Sequence, residues 1–160
     1  MMLNMFHIVL VEPEIPPNTG NIIRLSANCG AKLHLIKPLG FELSDKRLRR
    51  AGLDYHDLAH VTLHDTLDDF FATIRPARVF ACSTKGTKDY AQVAYQPGDT
   101  FIFGPETRGL STSFLDSLEK DSVICIPMLK GSRSLNLSNA AAIIIYEAWR
   151  QNGFEKKTEH

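Results

Sequence analysis

Short runs of apolar, often β-branched residues alternate along the chain with stretches in which apolar positions recur every three or four residues. The short runs predict buried strands at residues 8–11, 33–36, 79–82, 101–103 and 123–126. The helical spacing predicts helices over residues 21–29, 45–53, 67–74, 110–118 and 136–151. This alternation is typical of an α/β domain with a mostly parallel sheet flanked by helices, which is the fold class we expect.

The final predicted helix has an unusually wide apolar arc. An arc that covers more than a third of a helix predicts burial against more than one surface, so this helix lies either centrally in the fold or at a subunit interface. We expect the arc to form part of a dimer interface, because a large exposed apolar patch is rare on monomers. The residues of the arc are Leu137, Ala141, Ile144, Ile145, Ala148 and Trp149.

The length and composition are those of one globular domain. The 160 residues are 44% apolar and 22% charged, which argues against disorder. We expect a single domain over residues 1–153 and a frayed tail over residues 154–160. Eighteen basic residues balance eighteen acidic ones, so a protein that coats polyanions is excluded, whereas nucleic-acid binding by a local patch is not.

The cysteines and apolar stretches indicate the compartment. Cys29, Cys82 and Cys125 form no CxxC pair, which predicts reduced thiols rather than a disulfide framework or a zinc ribbon. The N-terminus lacks the pattern of a signal peptide, and the longest apolar stretch, residues 140–145, is far shorter than the roughly 20 residues of a membrane helix. We therefore expect a cytoplasmic protein with no membrane partner.

Common phosphate and metal motifs are missing from the sequence. It contains neither GxGxxG nor GxxxxGK[ST], which weakens a Rossmann or P-loop interpretation. His56, His60 and His64 are spaced by four, but the intervening residues have strand or loop character, so the three side chains need not share a helix face. We expect surface histidines and no metal site.

Three loops that are rich in Gly, Pro, Asn, Ser and Arg carry the candidate chemistry. They are PPNTGNIIR (16–24), FGPETRGL (103–110) and IPM (126–128) with SRSLNLSNA (132–140). Each lies beside a predicted strand end, which is where open α/β sheets bind ligands. Each could alone be a cap or a turn. Their combination in one small domain indicates a binding site.

These loops resemble the three signature motifs of the SPOUT class of RNA methyltransferases, and the resemblance covers roughly residues 8–153. Three further segments resemble the small bacterial branch that methylates the ribose of the tRNA wobble nucleotide: EPEIPPNTGN (12–21), DKRLRRAGLDYH (45–56) and YEAWRQ (146–151). The resemblance implies a deep C-terminal trefoil knot, a homodimer, tRNA as substrate, and S-adenosylmethionine as methyl donor with S-adenosylhomocysteine as product.

The resemblance also implies which residues hold the donor. Gly104 would permit close backbone approach, and Ile126, Met128 and Leu135 would enclose the adenine. Cys82 is expected to be a pocket wall rather than a nucleophile. The expected donor-binding residues are Cys82, Ser83, Thr84, Gly104, Ile126, Met128, Ser134 and Leu135.

Four residues are expected to be catalytic: Arg24, Glu106, Ser138 and Asn139. The resemblance makes Arg24 the catalytic arginine; because a guanidinium has no acceptor, we expect it to hold a phosphate and stabilise the developing alkoxide rather than act as a base. Glu106 could instead brace its loop, and Ser138 and Asn139 could instead cap the final helix.

A basic segment and the last helix are the candidate RNA contacts. The candidates are Lys46, Arg47, Arg49, Arg50, Arg133, Tyr146 and Arg150. Clustered cations that contact phosphates give an affinity that falls steeply with salt. Two other functions stay open at this point: a 2′-O-methyltransferase acting on ribosomal RNA, and a catalytically silent RNA-binding or assembly factor with the same fold.

Overall fold

A computed structural model of the chain describes residues 6–50 and 52–155. Within them, seven strands form a sheet: β1 (His7–Val11), β2 (Lys32–Ile36), β3 (Val61–His64), β4 (Val79–Cys82), β5 (Lys88–Asp89), β6 (Thr100–Phe103) and β7 (Val123–Cys125). Their order is β3-β2-β1-β6-β4-β7-β5, and the pairings in the described residues are all parallel. The α/β class with a parallel sheet is confirmed, and the trefoil knot stays a prediction.

Five α-helices lie between strands and a sixth follows β7: α1 (Pro16–Cys29), α2 (Lys46–Arg49), α3 (Tyr55–Leu58), α4 (Leu67–Ile74), α5 (Thr112–Asp116) and α6 (Leu137–Gln151). None of these six helices is long and apolar enough to cross a membrane. The helices α2 and α5 are shorter than the predicted helices over 45–53 and 110–118, and each begins directly after a capping residue, Asp45 or Ser111.

Helix α1 begins five residues earlier than the predicted start at Asn21. Pro16 and Pro17 occupy its first turn, where a missing N–H costs no helical hydrogen bond. Gly30 ends the helix with a left-handed φ of 72°, as the sequence predicts. The added turns contain Asn18 and place it in the interior of the domain.

Two apolar layers cover the two faces of the sheet. Along β1, Ile8 and Leu10 point to the side of α1 and α6, whereas Val9 points to the opposite side. Phe70 of α4 and Leu115 of α5 pack on that second side. The central strands are buried on both faces, which explains why their sequences are apolar without alternation.

The apolar arc of α6 faces the interior of its own chain. Ile144, Ile145, Ala148 and Trp149 are at most 9% exposed in the single chain. We expected these residues to be exposed on the single chain and to form a subunit interface. This expectation is wrong, because α1 and the sheet already bury them. The exposed apolar residue of this helix is Tyr146, which lies outside the arc and is 38% exposed.

The start of the expected tail is packed against α6. The ring of Phe154 lies edge-on to Trp149 at 5.2 Å between centroids, and Trp149 Nε1 donates to the carbonyl of Glu155 at 3.0 Å. Residues 156–160, the rest of the expected tail, lie outside the described residues.

A row of three histidines crosses the sheet beneath α4. His7 Nδ1 lies 2.9 Å from His34 Nε2, and His34 Nδ1 lies 2.9 Å from His64 Nε2. The edge of Phe70 packs on the rings of His34 and His64. His56 and His60 are exposed as expected, but the expectation of a surface position is wrong for His64, because β3 turns its side chain inward.

Burial keeps these three histidines neutral. Desolvation lowers the pKa of His34 to about 3, and the neighbouring His7, His64 and Lys32 act in the same direction. Desolvation also lowers the pKa values of His7 and His64. No group of three or more His, Cys, Asp or Glu within the described residues is arranged to hold a metal ion.

We expect the free energy of unfolding to fall on mild acidification. The unfolded chain binds protons below about pH 6.5 whereas native His34 does not, so this residue alone contributes a loss of about 1 kcal/mol near pH 5.5. Denaturant unfolding near pH 7.5 and pH 5.5 measures the loss. His34→Gln, which does not titrate, should reduce it, whereas His60→Gln at an exposed position should not. An equal loss in both variants would contradict this origin.

Candidate active site

A cleft of about 380 Å³ opens at the carboxyl ends of β4, β6 and β7. The end of β4 contributes Cys82 and the loop after it, the end of β6 contributes Phe103 and Gly104, and the chain after β7 contributes Ile126. Parallel strands bring their carboxyl ends to one edge, so three loops distant in sequence meet there. The expected donor-binding residues that line the cleft are Cys82, Ser83, Thr84, Gly104, Ile126, Met128 and Leu135.

One expected donor contact lies elsewhere. Ser134 is exposed and is not among the residues that line the cleft, although its neighbour Leu135 is. The lining residues that the sequence reasoning did not name as donor contacts include Ile15 and Asn18 near the start of α1, and Ile144 of α6. Asn18 belongs to the first signature loop, but placing its side chain in the cleft requires the early start of α1.

The walls of the cleft suit a nucleoside ligand. Its volume falls in the range of small-molecule sites, roughly 300–1,000 Å³. Cys82, Ile124 and Ile144 supply apolar surface, and Ser83 and Thr84 supply hydroxyl groups. Burial raises the pKa of the Cys82 thiol, so this cysteine stays protonated and serves as a wall.

Gly104 is required by its own loop. A Cβ at this position would overlap the backbone nitrogen of Leu110 and lie 2.9 Å from the Cα of Gly109. Gly109 itself has a left-handed φ of 68°. The sequence reasoning expected a side chain at position 104 to collide with the donor. In the structure, such a side chain would instead collide with the loop from 104 to 110, which folds back on Gly104.

Two carboxylates join this loop to the start of α1. Glu106 accepts hydrogen bonds at 2.8 Å from the backbone N–H groups of both Glu14 and Ile15, and at 3.2 Å from Asn18 Nδ2. In return, Glu14 accepts at 2.9 Å from the N–H of Thr107 and at 2.8 Å from its hydroxyl, which lowers the pKa of Glu14. Both oxygens of Glu106 are therefore engaged with α1.

A third carboxylate reinforces the same junction. Arg108 Nη2 lies 3.0 Å from Glu12 Oε1. Glu12 is the residue directly after β1, and its φ of 47° lies in the left-handed region. Such a backbone conformation is uncommon for a residue with a side chain and persists only where surrounding contacts hold it.

The third signature loop leads into the cap of α6. Asn136 Oδ1 accepts from the N–H of Ser138 at 2.9 Å and from its hydroxyl at 2.7 Å. Asn136 is therefore the residue that caps the helix, and the hydroxyl of Ser138 is bound to that cap. Asn139 is exposed on the next position of α6.

Arg24 lies on the exposed side of α1, away from the cleft-lining Asn18. Six residues separate them, which places the two side chains roughly 120° apart around the helix. Arg24 is not among the residues that line the cleft. Its Nη1 donates to the carbonyl of Gly52 at 3.2 Å.

The expected RNA contacts lie on α2, on the third signature loop and on α6. Lys46 and Arg50 are exposed, and Arg47 is held by Asp45 at 2.9 Å. The side chain of Arg49 lies outside the described part of the chain. On other elements, Arg133 is exposed beside the third loop, and Tyr146 and Arg150 are exposed on α6.

The ion pair between Arg150 and Glu147 reduces the positive charge that Arg150 can present to a phosphate. Arg150 forms two hydrogen bonds with Glu147, at 2.8 Å and 3.0 Å. This carboxylate offsets the charge of Arg150, as Asp45 does for Arg47. Lys46, Arg50 and Arg133 are exposed cations for which no carboxylate partner is seen among the described residues.

Comparison with known proteins decides the family. The SpoU rRNA Methylase family model matches residues 5–146. The chain belongs to this family. A tRNA (cytidine(34)-2'-O)-methyltransferase of Saccharophagus degradans is 60% identical over 150 residues, which are 94% of this chain and 97% of the relative.

Solved structures agree with this membership. A structure that gives insights into the 2-OH methylation of C/U34 on tRNA has a TM-score of 0.86 and 44% identity, and covers 94% of this chain and 97% of its own. The AdoMet-bound rRNA methyltransferase of Sinorhizobium meliloti has a TM-score of 0.79 and 25% identity, and covers 93% of this chain and 57% of its own. The SpoU fold thus accounts for nearly all of the chain.

We expect Gly104→Ala to weaken donor binding at least about tenfold, because the added Cβ must displace the loop that lines the cleft. Calorimetry with S-adenosylmethionine measures the affinity. Gly98→Ala is the control, since Gly98, with φ of 93°, lies in the turn before β6 with open space around it, so an added Cβ there meets no loop. Normal donor affinity in a folded Gly104→Ala protein would show that the loop does not shape the site.

Proposed function

We propose that this chain transfers a methyl group from S-adenosylmethionine to the ribose 2′-oxygen of nucleotide 34, the wobble nucleotide, in tRNA. The observation that carries the proposal is the match, at 60% identity across 94% of the chain, to a relative with that named activity. The cleft agrees with it, since the strand-end loops of the family are all present. The family name keeps a ribosomal RNA substrate as the second candidate.

The residues of the cleft fit the donor. S-adenosylmethionine supplies an activated methyl group when bound. Ile126, Met128 and Leu135 would enclose its adenine, and the hydroxyl and backbone groups of Ser83 and Thr84 would bind its polar parts. Cys82 and Gly104 would form the remaining wall. The metal-free chemistry expected from the sequence stays a prediction.

Arg24 is proposed as the catalytic residue that faces the ribose. Its guanidinium would bind a phosphate next to the acceptor and stabilise the charge that develops on the 2′-oxygen. Because Arg24 has no acceptor, the proton leaves to a phosphate oxygen or to solvent. Holding the 2′-oxygen about 3 Å from the methyl carbon supplies much of the rate.

The other candidate catalytic residues receive positional roles in this proposal. Glu106 supports the site by holding the start of α1, as its three hydrogen bonds indicate. Ser138 orders the start of α6 through Asn136. Asn139 remains a candidate ribose contact because its side chain is exposed beside this cap.

We propose that two copies complete one active site. In one chain, Arg24 points away from the cleft that would hold the donor, so a second copy could supply the arginine to that cleft. The exposed surface of α1 and α6, with Arg24, Asn139, Tyr146 and Arg150, is the proposed interface and RNA surface. Lys46, Arg47, Arg49, Arg50 and Arg133 would then contact tRNA phosphates. The cytoplasm is the proposed location.

Parallel assays on purified tRNA and ribosomal RNA test the substrate. We expect methylation of tRNA at nucleotide 34, located by mass spectrometry. Arg24→Ala should lower turnover by about 10²–10³ while donor affinity is unchanged, and Arg24→Lys should also be impaired because it lacks the planar fork. Methylation of ribosomal RNA alone would favour the second candidate. Donor binding without any transfer would favour a silent factor.

We expect Tyr146→Glu to dissociate a dimer and leave the fold intact, because this side chain is exposed in the single chain. An unpaired carboxylate in an interface costs roughly 3 kcal/mol, or about a hundredfold in Kd. Sedimentation at micromolar concentration gives the dissociation constant. Ala72→Glu, on the exposed side of α4 across the sheet, is the control. A wild-type monomer that methylates tRNA would refute the two-copy site.

A further inference from the structure

The basic segment after residue 44 packs against α1 backbone to backbone. A Cβ on Gly20 would overlap the carbonyl oxygen of Leu48 and lie 3.2 Å from its carbonyl carbon. The side chain of Leu48 is fully buried in the core beside α1. Gly20 lies one helical turn before Arg24, so α2 is seated directly next to the arginine.

Further along the chain, Gly52 contacts the side chain of Arg24 directly. The backbone of Gly52 is left-handed, with φ of 77°, and its carbonyl accepts the hydrogen bond from Arg24 Nη1. A Cβ at this position would lie 2.8 Å from the same Nη1 atom. Any residue other than glycine therefore meets the guanidinium in its present position.

The exposed cations and the residue that contacts Arg24 are thus close together in the sequence. Lys46 and Arg50 extend into solvent from α2 and the residue that ends it, and Gly52 follows two positions later. Contacts at Gly20 fix where the basic segment lies, and the carbonyl of Gly52 fixes one edge of the guanidinium plane. A guanidinium binds its partners in a planar fork, so its orientation decides which partner it can reach.

We propose that Gly52 is a positioning residue for Arg24: its carbonyl, held by the basic segment seated on Gly20, orients the guanidinium for the reaction. This inference rests on the proposed function, because it takes Arg24 to be catalytic. Gly52 itself touches neither the donor nor the acceptor in this proposal.

The test compares two left-handed glycines. Gly52→Ala and Gly30→Ala introduce the same kind of backbone strain, at φ of 77° and 72°, but open space surrounds Gly30. We expect Gly52→Ala to lower kcat about tenfold or more, since a displacement of about 1 Å at a catalytic group has effects of up to 10². Donor affinity and RNA affinity should stay within about threefold of wild type, as should kcat of Gly30→Ala.

A second pair keeps the test valid if strain unfolds the alanine variants. Asparagine tolerates the left-handed region better than alanine but still adds a Cβ. Gly52→Asn should therefore reproduce the loss of kcat in a protein with a normal melting temperature, and Gly30→Asn should not.

A double-mutant cycle separates positioning from general damage to the segment. In an Arg24→Ala background no guanidinium remains to be oriented, so Gly52→Ala should cause no further loss in single-turnover methylation. An equal loss in both backgrounds, or a loss no larger than that of Gly30→Ala, would overturn the proposal. The rates of the variants are compared with the wild-type rate on whichever RNA the wild-type protein methylates. A wrong substrate assignment is therefore seen in the wild-type assay and does not affect this comparison.

Discussion

The carboxylate of Glu106 joins the two halves of the candidate site. It accepts hydrogen bonds from the N–H groups of Glu14 and Ile15, which would otherwise lack partners at the start of α1. The same bonds fix the loop after β6 against α1. The position of the cleft wall at Ile15 and Asn18, and the direction in which α1 carries Arg24, both depend on this junction. Hydrogen bonds from two backbone amides to a carboxylate are stronger than the same bonds to a neutral acceptor. They can therefore hold together two loops that share little buried apolar surface.

Helix α1 serves two surfaces because of its early start. The first turns enter the cleft through Asn18, and later turns present Arg24 on the exposed side. A helix that started at Asn21 would place neither residue reliably relative to the other. The two prolines of the first turn make the early start possible without an unpaired helical N–H. The geometry of the site therefore depends on backbone rules at residues that carry no chemistry themselves.

Sequence reasoning located the central strands because they are buried on both faces and read as apolar runs. It left β3 open between strand and loop, because exposed Leu63 and buried His64 reverse the usual pattern, and it missed β5, which has only two residues. It read the arc of α6 as surplus apolar surface because one-dimensional patterns do not show that α1 and the sheet both cover it. It named most of its expected donor contacts correctly as lining the cleft, since strand ends in a parallel sheet converge by rule, but could not show that Gly104 is contacted by its own loop.

Two glycines give this region its rigidity by bringing backbone against backbone. At Gly20 and Gly104 the neighbour that excludes a Cβ is a backbone carbonyl or a loop amide, whereas at Gly52 it is the end of the Arg24 side chain. The backbone contacts at Gly20 and Gly104 cannot relax by changing a rotamer, unlike contacts of flexible side chains. In-line methyl transfer requires reacting atoms to be held about 3 Å apart, and a small displacement lowers the rate strongly. A site built on such contacts holds its loops in place before any ligand binds, so less binding free energy is used to order them.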